Sequence, residues 1–125
     1  MLYSHSPRSY IRTDNWEIIA KISEDKEQWS QVQVIDISAG GLLFHTEDEF
    51  EPGTVLWFDL FIDPKMPEIP ERIHMEVRAR VSSVRQQFEE VNAVGVVFIQ
   101  ISLGDQVRLD ELIRLAVTRY GGVPE

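Results

Sequence analysis

Val34-Ile35-Asp36-Ile37-Ser38-Ala39-Gly40-Gly41 is the stretch on which the reading of this chain turns. It reads as the end of one strand, a tight turn and the start of the next. Side chains alternate along a strand, so Asp36 and Ser38 share a face. Gly40 and Gly41 permit positive φ, or let another group approach the backbone closely. A carboxylate and a hydroxyl are therefore displayed together beside bare main chain. The same residues also suit a plain hairpin corner, in which Asp and Ser bond their own turn. The apolar pattern changes phase here. Val32 and Val34 are the apolar set before this point, and Ile35 and Ile37 after it. Such a slip marks a bulge or bend, or a strand buried on both faces.

Outward from this corner the chain is rich in strands. Residues 13–23 place Trp16, Ile18, Ala20 and Ile22 on one face, with Glu17 and Lys21 on the other. A polar turn, Ser23 to Glu27, leads to a return strand carrying Trp29, Val32 and Val34. Downstream, Leu42-Leu43-Phe44 opens a strand that ends at the acidic Glu47–Glu51 loop and Pro52-Gly53. Residues 54–62 are apolar on both faces: Leu56, Phe58, Leu60 and Ile62 on one, Val55, Trp57 and Phe61 on the other, interrupted by Asp59. Two apolar faces predict cover from outside the sheet. Asp63–Arg72 contains Pro64, Pro67 and Pro70 and is a loop. Residues 74–85 alternate again, with Met75, Val77, Ala79 and Val81 inward and His74, Glu76, Arg78 and Arg80 outward. A turn over Gln86–Asn92 precedes a last long strand, Ala93 to Ile101.

The period then becomes helical. Leu109, Leu112, Ile113, Ala116 and Tyr120 form one stripe. Ser102 or Asp105 caps its start, and Gly121-Gly122 stops it. This helix is the expected cover for the second apolar face of residues 54–62. The fold class is mostly β: a six- or seven-stranded antiparallel barrel with a C-terminal α-helix. The expected organisation is an arginine-bearing arm over 1–12, a barrel domain with its helix over 13–120, and a tail over 121–125.

Bulk properties narrow the function. The chain has 125 residues, 43% hydrophobic and 26% charged, as suits one globular domain. Met1–Pro7 has no signal-peptide core, and no apolar run is long enough to span a bilayer. With no cysteine, disulfides and thiolate metal sites are excluded. A cytoplasmic protein without membrane insertion is the expectation. The net charge of −9 argues against a general nucleic-acid binder. Acids gather at Glu24-Asp25, Glu47-Asp48-Glu49, Glu51 and Glu89-Glu90, whereas the first twelve residues carry Arg8 and Arg12 and no acid. That contrast points to a local anion site on an acidic body. His5, His45 and His74 lack metal-ligand spacing, and no nucleophile elbow, P-loop or paired-carboxylate motif is present. No catalytic residue, metal or cofactor is expected, and Trp57 and Phe61 read as packing residues.

Arg8-Ser9-Tyr10-Ile11-Arg12, followed two strands later by Asp36-Ile37-Ser38-Ala39-Gly40-Gly41, resembles the PilZ domain family of bacterial cyclic di-GMP receptors. Arg8 and Arg12 match its Arg-x-x-x-Arg; Asp36, Ser38 and Gly41 match its Asp/Asn-x-Ser-x-x-Gly. The resemblance implies a barrel with a C-terminal helix, no enzymatic activity, and cyclic di-GMP held by Arg8, Arg12, Asp36, Ser38 and Gly41. It further implies that binding orders the arm and alters a surface read by a protein partner, from motility, pilus or exopolysaccharide machinery. The alternative is an adaptor of the same fold that acts through protein contacts without nucleotide. Pro7 stands where many members have another basic residue, leaving one nucleotide or a stacked pair open. Ser83 aligns with a position where many carry an aromatic; Tyr10, Arg80 and Arg85 are the available substitutes.

The chemistry suits such a ligand independently. Arginine's planar fork bonds a phosphate, or the O6 and N7 of guanine, in bidentate fashion. A carboxylate accepts from guanine N1–H and N2–H, which arginine cannot do. A hydroxyl donates to phosphate or base, and glycine leaves room for the purine.

Overall fold

The computed structural model describes residues 9–12, 16–120 and 123–124. In chain order the elements are β1 (Ser9–Arg12), β2 (Glu17–Ser23), β3 (Ser30–Ser38), β4 (Gly41–Thr46), β5 (Val55–Asp63), β6 (Ile73–Phe88), β7 (Val91–Gln100), α1 (Leu103–Tyr120) and β8 (Val123–Pro124). The strands lie in the order β2-β5-β6-β7-β4-β3, and β3 pairs back onto β2. Six antiparallel strands therefore close into a barrel, which removes the sheet's free edges. The two short strands β1 and β8 lie outside this ring, β1 on β3 and β8 on β1.

The alternation dictates which side chains fill the barrel. Leu56, Phe58, Leu60 and Ile62 of β5 and Met75, Val77, Ala79 and Val81 of β6 are each at most 2% exposed. Burying a large apolar side chain of this kind stabilises by about 1.5–3 kcal/mol. Phe44 meets Phe58 edge-on at 5.5 Å.

The phase slip is a bulge. Val34 pairs with Phe44 and Asp36 with Leu43, so Ile35 is the extra residue of β3. The bulge divides β3 between two partners. Ser30–Val32 pair with β2 inside the ring, whereas Asp36 and Ile37 pair with Arg12 and Ile11 of β1. Were Ile35 paired as an ordinary strand residue, the alternation that buries Val32 and Val34 would point Asp36 inward. With Ile35 bulged out of the pairing, Ile37 is buried and Asp36 lies on the outer surface, half-buried.

The helix forms as the period predicts but packs elsewhere. Ser102 is the cap: its Oγ accepts the Asp105 N–H at 3.1 Å, and its carbonyl accepts the Gln106 N–H at 2.9 Å. Leu109, Leu112 and Ala116 are fully buried and Ile113 is 7% exposed, all within the barrel core cluster. The side chain of Tyr120 and the stop at Gly121-Gly122 lie outside the described residues. Instead of covering the outer face of β5, α1 closes the barrel end formed by the β3–β4 turn and the β5–β6 loop. Gln106 Nε2 donates to Ala39 O at 3.1 Å, and Arg119 is paired with Glu68. The β5–β6 loop contributes Met66, 3% exposed, to the same core.

The outer face of β5 is covered by its own neighbours. Phe61 stacks on His74 at 4.2 Å, and His74 Nε2 meets Asp59 Oδ1 at 2.5 Å. Trp57 lies beneath Lys26 Nζ at 4.4 Å and the Arg78 guanidinium at 5.3 Å. His74 and Arg78 of β6 and Lys26 of the β2–β3 turn supply this partial cover, with Phe61 still 40% exposed, while the helical stripe seals the barrel end. A second difference concerns the β6–β7 hairpin. Both strands run further than the expected turn over Gln86–Asn92, leaving only Glu89 and Glu90 between them.

Candidate functional site

Strand register assembles the site on the outer wall. Arg12 pairs with Asp36, Asp36 with Leu43, Leu43 with Gly95, and Gly95 with Ser83, forming one row across β1, β3, β4, β7 and β6. The next row runs from Gln33 to His45, Ala93 and Arg85. Directly paired residues project to the same side of a sheet, so Asp36, Leu43, Gly95 and Ser83 face outward with the second row, while Val94 and Val96 fill the core. Gly95 and Ala93 keep the middle of the rows low. The taller side chains stand on either side, and a cleft of about 490 Å³ results. Its lining includes Asp36, Leu43, His45, Ser83, Arg85, Gln87 and Ala93.

This cleft presents a carboxylate on the β3 side and a guanidinium on the β6 side. One accepts hydrogen bonds and the other donates them, a combination suited to a ligand with both base-edge donors and phosphate acceptors. Gly95 accommodates a close approach: a Cβ there would lie 2.7 Å from Ser83 Oγ, which would have to turn away. Ser82 Oγ donates to Gly95 O at 3.1 Å, holding β6 against β7 where their register shifts.

The corner beside the cleft is a stapled turn. Ser38 is fully buried. Its Oγ donates to Gly41 O and accepts the Gly40 N–H, both at 3.3 Å. Gly40 O accepts the Phe98 N–H at 2.9 Å. Together with the Gln106 bond to Ala39, these contacts hold the corner from β7 and α1. Neither Gly40 nor Gly41 is among the described residues with positive φ; the glycine that has it is Gly53, at 96°.

Among the residues expected to bind, Asp36 lines the cleft, and Arg12 is paired with it through the main chain. Ser38 and Gly41 form the adjoining corner and do not line the cleft. Arg8 lies outside the described residues. Ser83 and Arg85 line the cleft, Arg80 does not, and Tyr10 pairs with Val123 of β8. Gly95, Ala93, His45 and Gln87 were not singled out as site residues by sequence. For Gly95 the available signal was a lone glycine inside the apolar run Val94-Gly95-Val96.

Perturbed ionisation serves the turns. The Asp25 carboxyl is held below the usual carboxylate range by the N–H groups of Gln28 and Glu27 and by the Ser23 hydroxyl. Lys65 is raised by its bond to Glu17, at 3.0 Å, and by the charge of Asp63. Among the described residues, no group of three or more His, Asp or Glu could hold a metal ion, and no helix is long and apolar enough to cross a membrane.

The model of the PilZ domain matches residues 6–115. This chain belongs to the PilZ domain family. Among solved structures, this PilZ domain is similar to the Bacillus subtilis inhibitor of motility MotI/DgrA, with 26% identity and a TM-score of 0.68 over 92% of this chain and 54% of that one. It is also similar in fold to K. pneumonia MrkH, with 15% identity and a TM-score of 0.66 over 92% of this chain and 50% of that one. The PilZ domain of YcgR from Escherichia coli, solved with c-di-GMP, has 13% identity and a TM-score of 0.57 over 91% of this chain and 93% of that one. The chain thus spans about half the length of MotI/DgrA and MrkH. No curated protein matches it.

Proposed function

We propose that this PilZ domain is a cyclic di-GMP receptor whose ligand sits against the Asp36 cleft and is clasped by the arm that carries Arg8 and Arg12. The observation that supports this reading is the pairing of Arg12 with Asp36 at the edge of that cleft. In this reading the two arginines supply bidentate donors to phosphate or guanine, and Asp36 accepts from a guanine edge. Ser38 and Gly41 hold the corner that sets Asp36, and the Ser38 hydroxyl donates to the ligand only if the corner opens. The domain carries no enzymatic role. It signals by ordering the arm over the ligand and presenting the altered surface to a protein partner. MrkH and PlzA from Borreliella burgdorferi, of the same fold, have also been solved in complex with c-di-GMP.

Calorimetric titration with cyclic di-GMP tests this, with GMP as control. Binding with a Kd of tens of micromolar or tighter (roughly −6 kcal/mol or better) is expected. Arg12→Ala should weaken it by about tenfold or more, since a hydrogen bond to a charged group contributes roughly 1.5–3 kcal/mol. No binding by the unaltered protein would overturn the receptor reading in favour of an adaptor. Unchanged binding by Arg12→Ala would move the site elsewhere.

A further inference from the structure

The Asp36 cleft does not end at its second row. A neighbouring hollow of about 760 Å³ has Gln31, Gln33, His45 and Phe88 in its lining together with the acidic Glu47 and Asp48, and His45 borders both hollows. Phe88 stands at the junction. It is 58% exposed, yet its ring meets His45 edge-on at 5.8 Å. The hairpin geometry explains how it gets there. Between Gln86 and Phe88 the β6–β7 register shifts, so that Phe88 pairs with Val91 and its ring reaches His45 on β4. Such irregularities re-aim a side chain.

We propose that Phe88, backed by His45, is an aromatic wall of the ligand site, against which a purine base of the bound dinucleotide stacks. The inference rests on the nucleotide reading of the Asp36 cleft. The cleft's rows contain a carboxylate, a guanidinium, a hydroxyl, an amide and the His45 imidazole, but no phenyl or indole ring. The adjoining hollow supplies one, together with the side-chain amides of Gln31 and Gln33, which can donate to and accept from a base edge. A flat base that enters from the Asp36 side and extends past His45 covers the exposed face of Phe88 without moving any strand. An edge-on contact engages at most one face of the Phe88 ring, and the residue is 58% exposed. Stacking of this kind tolerates either purine, whereas Asp36 and Arg85 read the base edge and the phosphate.

The test is titration of the full chain with cyclic di-GMP for Phe88→Leu and Phe88→Trp alongside the unaltered protein. The apolar Phe88→Leu has no π-face and should bind about tenfold more weakly, within the range expected for one lost base–aromatic stack. Phe88→Trp should restore or exceed the original affinity. Melting temperatures of the unbound variants should stay close together, since the ring is largely exposed. Equal affinity in Phe88→Leu would overturn the proposal and leave the receptor reading intact. Loss of affinity in both variants would assign Phe88 to hairpin geometry and also overturn it. Failure of the unaltered protein to bind would overturn the receptor reading and this wall together.

Discussion

The two halves of β3 belong to one strand, yet they are held in different ways. Ser30–Val34 sit within the barrel, paired with β2 and β4. They are led in by a turn whose amides converge on Asp25. Asp25 Oδ1 accepts the Glu27 N–H at 2.8 Å and the Gln28 N–H at 3.0 Å. Asp36–Ser38 lie beyond the Ile35 bulge. They are paired with the four-residue β1 and held by the Ser38 corner and α1. The first half takes its partner from a continuous hairpin. The second takes its β1 partner from a chain segment that also carries β8 on its other side. One extra residue therefore converts a structural strand into one that displays a carboxylate at a cleft and recruits an arginine-bearing neighbour.

Ile37→Asp would break this division most severely. It sets a carboxylate at the position that the bulge turns into the core and removes a fully buried side chain. A buried, unpaired carboxylate and a lost core side chain together should remove about 5 kcal/mol or more, enough to unfold a typical domain. Urea denaturation followed by Trp fluorescence would read this as absence of a folded baseline. A folded, cooperative protein would show that the bulge does not set the two faces.

Ile37→Ala leaves the register intact and removes packing alone. Ile37 is fully buried in the outer half, so a loss of about 2–5 kcal/mol is expected from the same denaturation curves. A change below 1 kcal/mol would place the outer half outside the cooperative core.

The corner itself responds less. Ser102→Ala removes the cap of the helix that holds Ala39. It should cost about 1 kcal/mol. Native-state hydrogen exchange should locate faster opening in α1 and at the corner before the Ser30–Val34 half. Uniform acceleration across both halves would count against separate support.

The smallest effect is expected at the other end of β3. The folded Asp25 has a lowered pKa, so its contribution is complete above the unfolded value. It is lost as pH falls through the lowered folded value. The Glu27 and Gln28 amide resonances should titrate together, with a midpoint below the ordinary Asp value of about 3.9. They should not do so in Asp25→Asn. A midpoint at or above the ordinary value would contradict the hydrogen bonds assigned to this turn.

Much of the fold was legible because its signals are local. The alternation in β2, β5 and β6 reports which face is buried, whatever strand lies alongside. The slip at Val34-Ile35 became the bulge because only one extra residue reconciles buried valines before it with a buried Ile37 after it. A cap at Ser102 or Asp105 was legible because capping spans a single turn, and the bond from the Asp105 N–H to Ser102 assigns it to Ser102. The position of α1 was not legible. An apolar stripe states that a helix is buried but not against which surface, and the outer face of β5 had already found Lys26, Arg78 and His74 as cover.

The chain by itself therefore determined the barrel strands, the phase slip at Val34-Ile35 and the capped helix, while resemblance to the family joined the arginine motif to the aspartate corner. The strand and helix signals follow from backbone sterics and from burial periods of two or 3.6 residues, which act over a few positions. Tertiary structure alone decided that Asp36, Leu43, Gly95 and Ser83 form one row and that His45 joins two hollows. It also decided that Phe88 reaches back over β4 from a hairpin more than forty positions away. Those placements depend on register between strands distant in sequence. Closure of the barrel and the joint burial of both inner faces select that register, and no short stretch carries the information.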